Sequence, residues 1–321
     1  NNLYSLWTNY CVSESYEPGS TFKPVTVASA LEEGVVKDGD TYVCKGFETV
    51  ADYKLKCHVF STIGSHGSLT VEQALMNSCN PYMIHLALEM GNSRFAYYQS
   101  LFGFGKITGI DLPGETTGIV YGDRMTTIDA ACNSFGQTIN VNMMQMMAAY
   151  CSIINGGMLY QPHIVKRIES ANGEVVKEYK ANLVRQTITA STSKLLRRYL
   201  KNTVEEGTAK KAGVTGYSVA GKTGTAQKGD RKDNKWIISF IGHAPAENPK
   251  FAIYVVIDEP YGTTGTSGSS ADVLTLTHNI LEKLLPYMNV YKDASDEYED
   301  TSSSPDELTV DGIPAGTASS N

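Results

Sequence analysis

Three β-type runs, Tyr217 to Ala226, Lys235 to Gly242 and Phe251 to Asp258, follow one another with only short turn signals between them, at Gly229-Asp230 and Asn248-Pro249. Strands joined this closely pair antiparallel, because a parallel return needs a crossover of roughly a dozen residues or more. The amphipathic run from Val273 to Leu285 comes next and is expected to pack on that sheet.

The preceding segments read mainly as helix. Glu17-Pro18-Gly19 marks a turn, and the spacing of Phe22, Val25, Val27, Ala28 and Leu31 predicts a helix that stops at Gly34, which puts Ser20 at a helix N-terminus. Thr70 and Gln73 have capping-box spacing ahead of Ala74, Leu75 and Met76, while Pro81 suits the first turn of a helix ending at Gly91. Asn77 to Asn80 is then a short corner. The Met-rich stretch from Val141 to Ile154, closed by Asn155-Gly156-Gly157, reads as a core helix. The expected fold is α+β, an antiparallel sheet between helical layers, in one domain over residues 1–291.

Charge separates that domain from the C-terminal stretch. The net charge of the 321 residues is -7, yet residues 292–321 alone hold eight acids and one base, so the body is near neutral. A near-neutral body without a basic stripe gives no reason to expect nucleic acid as a partner, and none is expected. The tail, rich in Ser, Thr, Asp and Glu, is expected to be disordered. No run of about 18 apolar residues occurs to span a membrane. The start at Asn1 rather than Met, with Tyr4, Leu6 and Trp7 already apolar, reads as a cut from a longer chain.

Three short motifs stand in order: Ser20-Thr21-Phe22-Lys23, Ser78-Cys79-Asn80 and Lys222-Thr223-Gly224. Residues three apart share a helix face, which brings the Lys23 amine beside the Ser20 hydroxyl as its base. That role needs a lowered pKa, supplied by burial and by Lys222 as a neighbouring cation. Ser78, on a corner between helices, can relay a proton to a leaving amine, and the Asn80 amide can hold the substrate amide and Lys23. Gly224 permits close approach of a peptide backbone, while the Thr223 and Thr225 hydroxyls can bind a terminal carboxylate with Lys222. The backbone N–H groups of Ser20 and Thr225 are candidates for an oxyanion hole. Ser191/Lys194 and Ser170/Asn172 repeat the spacings in polar stretches and are read as surface residues.

The stretches YEPGSTFKP, NSCNPY and AGKTGTAQ, with TGIDLPGE (Thr108 to Glu115) and SFGQ (Ser134 to Gln137), resemble the transpeptidase domain of class B penicillin-binding proteins from about Asn1 to Leu285. The resemblance implies D,D-transpeptidation of peptidoglycan stem peptides through an acyl-enzyme on Ser20, with Lys23, Ser78, Asn80 and Lys222 catalytic and Thr223, Gly224 and Thr225 binding substrate. It also implies acylation by β-lactam antibiotics, an N-terminal membrane anchor, an extracytoplasmic location and a glycosyltransferase partner. Relatives place an anchor, a pedestal domain and the first helix and strands before the serine motif, so the sheet here is expected to be incomplete. A β-lactamase and a β-lactam-sensing receptor domain are the alternatives, separated by nitrocefin turnover and by peptide acylation.

Of six cysteines, Cys44, Cys57 and Cys79 lie between or within the first two motifs, together with Asp52, His58 and His66. The chemistry needs no cofactor. Asp52, Cys57, His66 and Cys79 offer the four N, S or O ligands of a structural or regulatory zinc ion, with Cys44 replacing Asp52 if the strands fold differently. A Cys44–Cys57 or Cys57–Cys79 disulfide and free thiols are the other readings. Cys11, Cys132 and Cys151 sit among apolar neighbours and are read as core.

Overall fold

A computed structural model describes residues 7–229, 235–260 and 269–293. After the short helix α1 (Tyr10–Ser13), a 3-10 turn, Gly19–Phe22, runs directly into α2 (Lys23–Glu33), which ends on Gly34 in the left-handed conformation. Strands β1 (Thr41–Cys44), β2 (Phe47–Val50), β3 (Tyr53–Lys56) and β4 (Gly67–Thr70) form two antiparallel pairs, β1 with β4 and β2 with β3. Helices α3 (Val71–Met76) and α4 (Asn80–Met90) flank the corner that carries the second motif. The Thr70/Gln73 capping box opens α3 as expected, and Pro81 lies in the first turn of α4, which closes at Gly91.

Helices α5 (Asn92–Leu101), α6 (Thr127–Asn133) and α7 (Met143–Ile154) complete this lobe, α7 being the Met-rich core helix. Strands β5 (Met158–Gln161), β6 (Arg167–Glu169), β7 (Val175–Glu178) and β8 (Asn182–Gln186) make two further pairs before α8 (Ala190–Glu205). The central sheet then forms from β9 (Ala220–Lys228), β10 (Lys235–Ala244) and β11 (Phe251–Asp258) in the order β11-β10-β9, antiparallel throughout. This matches the expected sheet, although the first of the two turns lies partly outside the described residues. Helix α9 (Ala271–Tyr287) covers one sheet face, packing Val273, Leu274, Leu281 and Leu285 against Ile238 and Phe240.

The opposite face carries Lys222, Gly224, Ser239 and Tyr254 toward the helical lobe, because strand side chains alternate between faces. That lobe has its own core, in which Phe22, Val27, Leu75, Tyr82 and Ile84 are buried. The three sequence motifs therefore meet where the two packed units join. No helix of the described residues is long and apolar enough to cross a membrane. Cys132 and Cys151 are half-buried as core residues can be, but Cys11 is exposed: it opens onto solvent from the four-residue helix α1, which buries only Val12. The acidic tail lies, from residue 294 on, outside the described residues.

Candidate active site

Glycine contacts lock the serine turn in place. Gly19 takes φ 57° and donates its N–H to the Gly136 carbonyl at 2.9 Å, and a Cβ on Gly136 would overlap the Gly19 backbone. A Cβ on Gly19 would stand 2.6 Å from the Thr225 carbonyl, so that carbonyl faces the serine turn and points away from β10. On the neighbouring strand position, a Cβ at Gly224 would meet Ser239 Oγ at 2.5 Å, Thr21 Cγ2 at 2.8 Å and the Pro18 carbonyl at 3.0 Å. Gly224 is thus required by internal packing of the serine turn, whereas the motif alone points to the approach of a substrate backbone.

Lys23 is fully buried at the start of α2 and reaches across to the α3–α4 corner. Its Nζ donates to the Ser78 carbonyl at 2.6 Å, to Ser78 Oγ at 2.9 Å and to Asn80 Oδ1 at 2.7 Å. Ser78 Oγ in turn donates to Ser20 Oγ at 3.0 Å. Among the described residues the hydrogen-bonded route from Lys23 to Ser20 runs through Ser78, whereas the spacing alone predicts direct contact. Ser78 takes φ 55°, a conformation that costs about 1–2 kcal/mol for a non-glycine residue. The strain has a use: it aims both the hydroxyl and the carbonyl of one residue into the site.

Burial pulls the Lys23 amine down to about 8, with Cys57 and Cys79 opposing the shift. Lys222 is also fully buried, donates to Thr223 O and Oγ1 at 3.2 and 3.3 Å, and is held well below the ordinary lysine range by burial and then by the Lys23 charge. The cation effect expected on Lys23 is therefore felt by Lys222. Among the described residues no carboxylate pairs with either amine. Two buried amines without a counter-ion beside a part-exposed serine form a site suited to an anionic acyl donor.

Comparison with known proteins decides the family. Residues 1–282 match the model of the penicillin binding protein transpeptidase domain. The chain belongs to this family, in its class B branch. It is 41% identical over 288 residues to stage V sporulation protein D of Bacillus subtilis, covering 88% of this chain and 44% of that protein. It is 32% identical over 292 residues to peptidoglycan D,D-transpeptidase FtsI of Escherichia coli K12, covering 89% of this chain and 46% of that one. The chain thus spans less than half the length of these curated relatives. Penicillin-binding protein 3 of Mycobacterium tuberculosis superposes with a TM-score of 0.80 at 28% identity, covering 89% of this chain and 66% of that one. The transpeptidase domain of Burkholderia pseudomallei penicillin-binding protein 3 gives 0.78 at 25% identity, covering 90% and 84%.

Within this transpeptidase domain the remaining sequence candidates sort cleanly. The decoy pairs are surface features: Ser191 bonds Thr189 in an exposed helix start, and Ser170 bonds Asn172 in the exposed β6–β7 connection. The TGIDLPGE loop closes on itself, Glu115 accepting from Thr108 N, Thr108 Oγ1 and Gly109 N. Cys44, Cys57, His66 and Cys79 gather their ligand atoms within 4.8 Å of one another directly behind Ser78. Asp52 is not among them. It occupies the exposed turn of the β2–β3 hairpin, whereas Cys44 ends β1 pointing into the core. Cys57 and Cys79 share a hydrogen bond that lowers the Cys57 thiol and raises that of Cys79.

Sequence reasoning missed a polar chain behind the nucleophile. Tyr16 Oη donates to Tyr254 Oη at 2.7 Å, Tyr254 Oη lies 3.3 Å from Thr21 Oγ1, and Thr21 Oγ1 donates to the Pro18 carbonyl at 2.8 Å. Thr21 and Pro18 bracket Ser20 in sequence, but Tyr254 lies on β11, and nothing local signals that contact.

Proposed function

We propose that the protein of which this chain is the transpeptidase domain cross-links peptidoglycan stem peptides as a D,D-transpeptidase. The observation that carries the reading is the Lys23–Ser78–Ser20 hydrogen-bond chain, with uncompensated Lys222 on neighbouring β9. With Lys23 neutral, the Ser20 proton passes through Ser78 Oγ to Lys23 Nζ as Ser20 Oγ attacks the penultimate D-Ala carbonyl. The Ser20 and Thr225 N–H groups receive the oxyanion, and Lys222, Thr223 and Thr225 receive the terminal carboxylate. The scissile C–N bond breaks, the proton returns through Ser78 to the departing D-Ala amine, and an acceptor amine then displaces Ser20 from the ester by the same relay. Asn80 holds Lys23 and the substrate amide.

Among the described residues no carboxylate bonds Ser20, Lys23 or Ser78, which favours amine attack over β-lactamase hydrolysis, a reaction that needs a base for water. Incubating the protein with a D-Ala-D-Ala stem peptide and an amine acceptor should release D-Ala and yield a cross-linked product by mass spectrometry. A benzylpenicillin adduct without D-Ala release would point to a sensor instead. The same reading puts the domain on the outer face of the cytoplasmic membrane, anchored by another part of the protein and working beside a glycosyltransferase.

The cysteine cluster supports a zinc ion held by Cys44, Cys57, His66 and Cys79. In a tetrahedral site with Zn–S of about 2.3 Å and Zn–N of about 2.05 Å, sulfur and nitrogen stand roughly 3.6 Å apart. Cys57 Sγ and Cys44 Sγ lie 3.5 and 3.7 Å from His66 Nδ1. The ion would fix Cys79, and with it the strained Ser78, leaving the acyl chemistry to the protein. Protein purified without added zinc should carry about one equivalent; less than a tenth, with Cys57 and Cys79 joined in a disulfide, would overturn the assignment.

A further inference from the structure

The outer face of α8 carries a basic stripe that the acyl chemistry leaves unused. Lys194, Arg197, Arg198 and Lys201 recur at i, i+3, i+4 and i+7, so they share one side of the helix. Together with Asn202, Ala246 and Glu247 they line a cavity of about 420 Å3, four cations against one acid.

Two of these four cations are matched by acids of the fold. Arg198 pairs with Asp38 at 2.6 Å and Glu72 at 3.4 Å, and Lys201 with Glu247 at 2.8 Å and Glu205 at 3.7 Å. Arg197 instead donates to neutral acceptors, the Ile154 carbonyl and Ser193 Oγ, both at 2.9 Å. Among the described residues no carboxylate pairs with Arg197 or Lys194. Cations of one sign in a concave surface hold an anion better than on a flat one, because the low-dielectric walls focus their field.

The chain brings its own anions to this place. Val290 is buried in the core under α9, and three residues later the Asp293 N–H donates to the Gly216 carbonyl at 2.8 Å. That point lies beside the cavity. Ser218, two positions on from Gly216, donates to Glu247 at 3.1 Å. Lys201 is raised above the ordinary lysine range by its bond to Glu247 and, more weakly, by the charges of Glu205 and Asp293, against the pull of burial. The sequence then runs Ala294-Ser295-Asp296-Glu297-Tyr298-Glu299-Asp300, four more acids and no base. From Lys201 to Lys194 the stripe is about 10 Å long, and the seven steps from Asp293 to Asp300 reach roughly 23 Å, so the acids can span it. A tether this short sets an effective concentration on the order of millimolar, at which individually weak ion pairs add up.

We infer that the acidic segment 296–300 docks on the basic face of α8, where Lys194 and Arg197 receive the carboxylates that the described residues leave them without. The contact is independent of the acyl chemistry. It closes over the helix that braces the Ser78 corner, since Arg198 and Asn202 of α8 bond Glu72 in the first turn of α3, at 3.4 and 2.7 Å.

Zero-length coupling of the full chain with a water-soluble carbodiimide, read by peptide mass spectrometry, tests the contact. Lys201 and Glu247, already paired, serve as the internal control. Docking predicts an amide within one chain from Lys194 to Asp296, Glu297, Glu299 or Asp300. Its yield should fall about fivefold or more between about 0.1 M and 1 M salt, as the Debye length shrinks from about 10 to about 3 Å. Replacing the four acids together, Asp296→Asn, Glu297→Gln, Glu299→Gln and Asp300→Asn, should abolish that link while the Lys201–Glu247 link persists. Lys194 left uncoupled although the control forms, or coupled at equal yield in both salts, would overturn the docking. So would links that join only isotope-labelled chains to unlabelled ones in a mixture, since a second copy would then be the occupant.

Discussion

The serine turn lies between two walls, β9 on one side and the Ser78 corner on the other, and they are built by different physics. On the β9 side the serine turn is held by backbone against backbone, Gly19 on Gly136 and on Thr225, Gly224 on Pro18, with the Tyr16–Tyr254–Thr21 hydroxyls behind. On the Ser78 side the supporting strands are two short pairs, and three cysteines and a histidine converge behind a residue in strained backbone geometry. Close packing needs nothing added, whereas a convergence of thiols takes its rigidity from the bond or ion that joins them. The serine wall should therefore answer to volume and the Ser78 wall to metal and redox conditions.

The largest effect bridges the walls. Lys23→Met removes the amine that bonds Ser78 Oγ from the opposite wall and should slow acylation by benzylpenicillin by about a thousandfold, within the usual range for a lost general base. A loss under tenfold in stopped-flow assays would break the relay. Gly136→Ala comes next: its Cβ would overlap Gly19 and it demands a left-handed alanine, together costing about 2–5 kcal/mol, read as a fall in melting temperature. Gly34→Ala, whose Cβ meets nothing within 4 Å, should cost only about 1–2 kcal/mol for its backbone.

Zinc chelation should lower the melting temperature and slow acylation while leaving intact mass unchanged, by an amount set by RT ln(1 + [Zn]/Kd). Added zinc should reverse it. Equal response of a Cys57→Ser variant with and without chelator would sharpen the comparison, since the effect would then be assigned to that wall. Because burial lowers Lys23 to about 8 and the neutral amine is the base, the acylation rate should climb as pH rises through about 8 and level off above it. A rate falling across that interval would contradict the assignment. Smallest is Tyr254→Phe, which unlinks Thr21 from Tyr16 and should slow acylation less than tenfold, with substrate binding unchanged.

Local signals carried most of the fold into view. Capping at Thr70, the stop at Gly34 and the three closely joined strands were legible because each depends on neighbours in sequence. The motif serines and lysines were legible as candidates for the same reason. What was not legible needed a third dimension: the detour of Lys23 through Ser78 depends on the corner between α3 and α4, and the choice between Asp52 and Cys44, both offered by the sequence, depends on Asp52 standing at an exposed hairpin turn while Cys44 ends β1 in the core. Gly136 was visible only as part of SFGQ, since its partner Gly19 lies 117 positions earlier.

The intact mass of the protein after exposure to benzylpenicillin, for the parent and for Ser20→Ala, puts the nucleophile to the test. An acyl-transfer centre on Ser20 predicts one adduct on the parent and none on the variant. An adduct that survives in Ser20→Ala, or a parent that never takes one with or without added zinc, would contradict it.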